Sequence, residues 1–164
     1  MNIVPNPLTI NGLLSIPNEQ FVIPSYQRRY AWKEPQVWAL FEDIDMLQDG
    51  DGHLFGMLIL HSSKPHHAGI NQLDLVDGQQ RLNAIKEFVG NVFPLPDGKY
   101  FKDLKYWDVR EFLTSYRINV LYITDLTYEQ EVEVYWNRNF GGTAHSRTEL
   151  DKLIKIKKEL ENGK

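Results

Sequence analysis

Cysteine is absent from the 164-residue chain, which excludes disulfide staples and thiolate catalysis and is consistent with an intracellular setting. Long apolar runs are absent too. None approaches the roughly 18 residues needed to cross a bilayer, and the start MNIVPNPLTI has no basic stretch of the kind that opens a signal peptide. Neither export nor membrane insertion is expected. No GxxxxGK[ST] loop occurs, so any nucleotide chemistry must use another cradle. Bulk positive charge is lacking: 18 Lys and Arg against 22 Asp and Glu give a net charge of −4. That balance argues against a protein that coats DNA through its overall field. Internal repeats and low-complexity segments are also missing.

The composition that remains, 42% hydrophobic and 12% aromatic, is that of one compact domain with a real core. Charge is unevenly spread. Residues 41–80 hold Glu42, Asp43, Asp45, Asp49, Asp51, Asp74 and Asp77 against Lys64 alone, whereas positive charge gathers at Arg28, Arg29 and Arg81 and again near the end of the chain. A focused basic pocket can bind a few phosphates without a basic surface.

The segment DLVDGQQR, Asp74–Arg81, places such a pocket. Leu75 and Val76 read as the end of a buried strand, and Leu82, Ala84, Ile85, Phe88 and Val89 recur with helical period. Gly78, Gln79 and Gln80 then fall at a strand-to-helix junction, where free backbone N–H groups favour an anion and Arg81 adds a phosphate-matched fork. A tight turn with surface glutamines and Arg81 paired to Asp77 fits the same residues. IPSYQRRYAW, Ile23–Trp32, sets Arg28 and Arg29 between Tyr26, Tyr30 and Trp32. Rings and guanidinium groups are components of a nucleotide pocket, through stacking and phosphate pairing, and are equally at home on a solvated surface.

Periodicity and turn signals arrange the rest. A short helix is expected in Thr9–Ile16, ended by Pro17, then a strand at Phe21–Ile23 and a helix over Lys33–Leu47 with Val37, Leu40, Phe41, Ile44 and Leu47 inward. Phe55–Leu60 suits a buried strand, although an apolar run this short also fits a helix, and Ser62–Asn71 reads as a loop. Beyond the second motif come a Pro- and Gly-rich loop at Gly90–Lys102, a helix over Asp103–Leu113 and a strand over Arg117–Ile123. A capping box at Thr127 and Gln130 opens a helix to about Arg138, and Ser146 with Glu149 repeats the signal before a final amphipathic helix. Its Lys152, Lys155, Lys157 and Lys158 read most simply as a solvated face, with contact to nucleic acid the lesser alternative. His66 and His67 lack a spaced ligand partner and make a weak metal candidate. Asp77 is the better of the two strand carboxylates to hold Mg²⁺ beside phosphates, because Asp74 lies at an odd offset on the opposite face. His53 is either a polar connector or a group that hydrogen-bonds phosphate or positions water. Asn139, Gly141 and Gly142 form either a plain turn or a close approach of backbone amides to a ligand, the latter supported by Asn137 and Arg138 nearby.

The order and spacing of these blocks resembles the N-terminal domain of the GmrSD family of modification-dependent restriction enzymes. IPSYQRRYAW matches its IPxYQRxYxW block, HLFG at His53–Gly56 its HFLG-like segment, VDGQQR its strand ending in DGQQR, and NFGGTAHSRTEL its Asn-x-Gly-Gly-Thr block. His145 departs, standing where many members have Leu. The resemblance runs from about Thr9 to about Leu150. It implies an α/β (α+β) fold of the ParB and sulfiredoxin-like superfamily, a small mixed sheet with flanking helices, over residues 1–150, with residues 147–164 as a helix packed on or extending from it. It also implies NTP binding and hydrolysis, with ATP, GTP or CTP and Mg²⁺ as cofactors, DNA (modified DNA included) as partner, and a bacterial or phage-infected cytoplasm. The family's cleavage chemistry is attributed largely to a separate HNH-like domain. A chain ending at Lys164 is thus expected to need a separate nuclease or effector chain. By the same resemblance Asp77, Gln79, Gln80, Arg81 and His53 are the expected catalytic residues. Tyr26, Gln27, Arg28, Arg29, Trp32, Gly78, Asn139, Gly141, Gly142 and Thr143 are expected to bind nucleotide. A phosphotransferase acting on a hydroxyl, such as that of a modified base, and a non-catalytic nucleotide-gated module or decoy are the alternatives.

Overall fold

The computed structural model describes residues 1–17, 20–45, 54–62, 72–140 and 147–162. Five strands form one mixed sheet: β1 (Asn2–Thr9), β2 (Phe21–Val22), β3 (Leu54–Ser62), β4 (Leu73–Asp77) and β5 (Arg117–Thr124), in the spatial order β1-β5-β3-β4-β2. The β5/β3 and β4/β2 pairs are parallel, and β1/β5 and β3/β4 are antiparallel. Helices α1 (Ile10–Leu14), α2 (Glu34–Asp45), α3 (Gln79–Val89), α4 (Tyr106–Thr114), α5 (Tyr128–Phe140) and α6 (Arg147–Asn162) complete the α/β fold that the motifs imply.

Strand alternation sorts the core into two layers. Leu58, Leu60, Leu75, Ile118 and Val120 point to one face, where Val37 and Phe41 of α2, Leu82, Ile85 and Phe88 of α3 and Phe112 of α4 close over them. Ile59, Val76 and Ile123 point to the other, against Val132 and Tyr135 of α5 and Leu153 of α6. Burial on both faces is why β3 reads as a continuous apolar run over residues 57–60 rather than an alternating one. The helix signals hold locally. Thr9 caps α1 by accepting from Gly12 N at 3.1 Å, and Thr127 and Gln130 exchange their reciprocal bonds at 3.0 and 3.3 Å ahead of α5. Ser146, expected to cap α6, and Leu47 lie outside the described residues.

β1 is the element that the sequence pattern does not announce. Pro5 and Pro7 interrupt it and Asn2–Pro7 are exposed, so no alternation marks it. It forms because it is an edge strand, paired on one side with β5 alone, where a residue lacking an N–H is tolerated.

Candidate functional site

The site begins where β4 ends. Gly78, between β4 and α3, adopts φ +98°, and a Cβ there would come 2.3 Å from Leu58 Cδ2 and 3.0 Å from Met57 O. Only glycine fits that left-handed, tightly packed turn. Gly78 is the N-cap of α3 and contributes no side-chain bond, and the first helical turn closes through Leu82 N donating to Gly78 O at 3.0 Å. The N–H groups of Gln79, Gln80 and Arg81 therefore have no intrahelical acceptor, at the end where the helix dipole is positive. Beside them lies a cavity of about 270 Å³ lined by Gln27, Arg28, Trp32, Asp77, Gly78, Gln79, Gln80, Arg81, Tyr135, Arg138 and Asn139. The two sequence motifs, some fifty residues apart, thus meet in one wall, and α5 supplies the other.

Among the described residues of this lining, three arginines accompany one carboxylate, a local cationic excess within a chain of net charge −4. Asp77 Oδ2 lies 3.6 Å from Arg138 Nε, with side chains 15% and 45% exposed. This is the pairing Asp77 makes in place of one with Arg81. Arg81 instead donates from Nη1 to Met57 O at 3.2 Å. Its Nε sits 3.2 Å from where a Cβ on Gly56 would stand, and Gly56 itself is at φ +75°. The glycine of HLFG thereby makes room for the arginine of DGQQR.

The glutamines divide into clamps and a candidate ligand. Gln80 Oε1 accepts from Ala31 N at 3.0 Å and Trp32 N at 3.1 Å, and its Nε2 donates to Arg29 O at 3.4 Å. Its amide holds the Arg-rich turn on α3, although Gln80 is expected among the catalytic residues and also lines the cavity. Gln27 is buried and donates from Nε2 to Leu75 O, tying the same turn to β4. Gln79 is 9% exposed, lines the cavity and has no side-chain hydrogen-bond partner among the described residues. A buried amide in that condition calls for a ligand or water.

One aromatic expectation is corrected. Tyr26 does not line the cavity: it is 2% exposed, packs 5.0 Å from the ring of Tyr135, and donates its hydroxyl to Glu131 Oε1 at 2.6 Å. Burial, then the bond to Glu131, pushes its pKa well above the usual tyrosine range. The ring is core, unavailable to stack on a base. Arg29 is exposed and also outside the lining, whereas Arg28 and half-buried Trp32 are within it. Tyr30, in the same motif, donates to Glu87 Oε2 at 2.7 Å, and burial first, then that bond, raises its pKa.

Asn139 lines the cavity, although its Nδ2 donates to Tyr135 O at 2.9 Å within α5. Tyr135 was not foreseen. The available signal was spacing: Tyr135, Arg138 and Asn139 stand at i, i+3 and i+4 and share one helical face. His53, Gly141, Gly142 and Thr143 lie outside the described residues, as do His66 and His67. Lys152 of α6 reaches Ser25 O at 2.7 Å, so one lysine of the solvated face also braces the Arg-rich turn.

Among the described residues no helix is long and apolar enough to cross a membrane. A family model described as GmrSD restriction endonuclease, N-terminal domain, matches residues 10–163. No curated protein and no solved structure matches the chain.

Proposed function

The chain belongs to the GmrSD restriction endonuclease N-terminal domain family, a setting in DNA restriction, and from that premise we propose that its cavity binds and hydrolyses a nucleoside triphosphate with Mg²⁺. The observation that carries this reading is the uncapped start of α3 set among three guanidinium groups, with the Gln79 amide, which has no side-chain partner among the described residues, beside it. The polyphosphate accepts the N–H groups of Gln79, Gln80 and Arg81, and Arg28, Arg81 and Arg138 neutralise its charge. Gln79 hydrogen-bonds a terminal phosphate oxygen or the attacking water. Asp77 fits Mg²⁺, which takes one or two carboxylates and fills its remaining positions with water and phosphate oxygens. The contact with Arg138 is loose at 3.6 Å, so Asp77 would be free to hold the ion and Arg138 to pair with phosphate. Bound Mg²⁺ would supply charge neutralisation, and the rest of the rate gain comes from positioning.

A volume of about 270 Å³ suits the phosphates better than a whole nucleotide. The base therefore lies against Trp32, and ATP, GTP and CTP remain candidate substrates. DNA, modified DNA included, acts as the regulating partner, and cleavage belongs to a nuclease domain other than this one.

Incubation with γ-³²P-labelled ATP, GTP or CTP and Mg²⁺, with and without normal or hydroxymethylated DNA, tests the reading. Free labelled phosphate is the expected product. Label transferred to DNA would replace hydrolysis with phosphoryl transfer, and nucleotide binding without turnover would make the domain a gated module. Absence of binding for all three nucleotides would remove the proposal.

A further inference from the structure

A second polar cluster lies on the face of the sheet covered by α5, apart from the cavity. His61 of β3 and Asp74 of β4 are register partners in the antiparallel ladder, so their side chains project on the same side. Glu131 of α5 reaches down to them. His61 Nδ1 is 2.6 Å from Glu131 Oε2 and 4.0 Å from Asp74 Oδ2, and the three side chains are only 7%, 5% and 13% exposed, respectively. One donor atom from each falls within 4.8 Å of the others.

Charge makes this arrangement incomplete. Two carboxylates share the cluster, and His61 is the one cation-forming group in ion-pair contact with either among the described residues. Two carboxyl groups thus face a single imidazole in a site that α5 covers. Asp74 has one further bond, from Gln72 Nε2 at 2.9 Å, and Tyr26 occupies the outer oxygen of Glu131. Both are neutral donors.

We propose that His61, Asp74 and Glu131 bind a first-row divalent cation, Zn²⁺ or Mn²⁺, that ties β3, β4 and α5 together. One imidazole nitrogen and two carboxylate oxygens are a borderline donor set, better matched to these ions than to Mg²⁺, which prefers oxygen and retained water. Tetrahedral ligands about 2.1 Å from an ion stand about 3.4 Å apart, and the observed 2.6 and 4.0 Å separations bracket that figure. A sub-ångström adjustment of each side chain admits the ion. The proton held between Nδ1 and Oε2 leaves to solvent, and water completes the coordination. The Tyr26 hydroxyl fixes the orientation of the Glu131 carboxylate, as outer hydrogen bonds do at metal ligands. Tyr26 directly precedes Gln27 and Arg28, and Glu131 lies one helical turn before Tyr135. The ion would therefore brace both walls of the cavity.

Equilibrium dialysis of the chelator-stripped full chain against Zn²⁺ or Mn²⁺, followed by elemental quantification, tests this. One equivalent per chain is expected, with a raised melting temperature. Asp74→Asn, nearly isosteric, should lower affinity at least tenfold, whereas Asp77→Asn should leave it unchanged, separating this site from any Mg²⁺ at the cavity. Histidine-selective ¹⁵N NMR of the wild-type chain supplies a readout independent of variant folding: Zn²⁺ should shift the His61 Nδ1 resonance. No stoichiometric binding, binding unaffected by Asp74→Asn, or an unmoved His61 resonance would overturn the assignment.

Discussion

Replacing Gly78 with alanine separates two penalties that the turn imposes together. A left-handed backbone costs a non-glycine residue about 1–2 kcal/mol. The new Cβ would also stand 2.3 Å from Leu58 Cδ2 and 3.0 Å from Met57 O, both parts of packed β3, and forced overpacking of this kind costs roughly 1–3 kcal/mol. Their sum, about 2–5 kcal/mol, is a large share of a stability on the order of 5–15 kcal/mol. Gly98 is the internal control, since it has φ +83° with nothing within 4 Å of its would-be Cβ. Gly98→Ala should carry only the backbone term of about 1–2 kcal/mol. Urea unfolding followed by circular dichroism reads both, and with a slope of about 1–3 kcal/mol per molar the two midpoints separate clearly. Because Gly78 also aims the first N–H groups of α3, its variant should lose anion binding even below the unfolding midpoint. Equal midpoints for Gly78→Ala and Gly98→Ala would refute the close packing of this turn.

Gln80→Ala removes the acceptor shared by Ala31 N and Trp32 N. It should cost about 1–2 kcal/mol and speed native-state tryptic cleavage after Arg28 or Arg29, and an unchanged cleavage rate would show that Gln80 is not the clamp. Burial and carboxylate contacts raise the pKa values of Tyr26 and Tyr30 above the ordinary 10.0. Each tyrosine's contribution is therefore complete below pH 10 and is lost as pH climbs from there toward the folded-state value, where the unfolded chain ionises first. The Tyr26→Phe, Tyr30→Phe double variant should show a shallower fall in melting temperature above pH 10 than wild type, and parallel curves would contradict these environments.

Much of this architecture is legible in the chain because it is written locally. The strand through Leu75 and Val76, the helix after Gly78, the capping box at Thr127 and the buried stripe of α2 each follow from periodicity or a short-range signal. β1 is not legible, because its existence depends on a partner strand more than a hundred residues away and its prolines argue against it. The site divides the same way. Arg28, Asp77, Gly78, Gln79 and Arg81 belong to motifs whose composition announces an anion pocket, and they meet in one cavity. Tyr26 and Gln80 carry the same motif signature yet spend their polar atoms inside the fold. Composition marks a motif but does not say which members turn outward. His61 and Glu131 are silent in sequence, since only the pairing of β3 with β4 and the seating of α5 bring them together.

Isothermal titration with a nucleoside, its monophosphate and its non-hydrolysable triphosphate, in the presence of Mg²⁺, tests the central claim that the α3 junction is a polyphosphate cradle. Each charge-assisted bond gained is worth about 1.5–3 kcal/mol, so affinity should rise by two orders of magnitude or more from nucleoside to triphosphate. Arg138→Ala, at a half-exposed position, should remove about tenfold or more of that gain without lowering the melting temperature. Equal affinities for nucleoside and triphosphate, or an Arg138→Ala protein that binds triphosphate like wild type, would contradict the account.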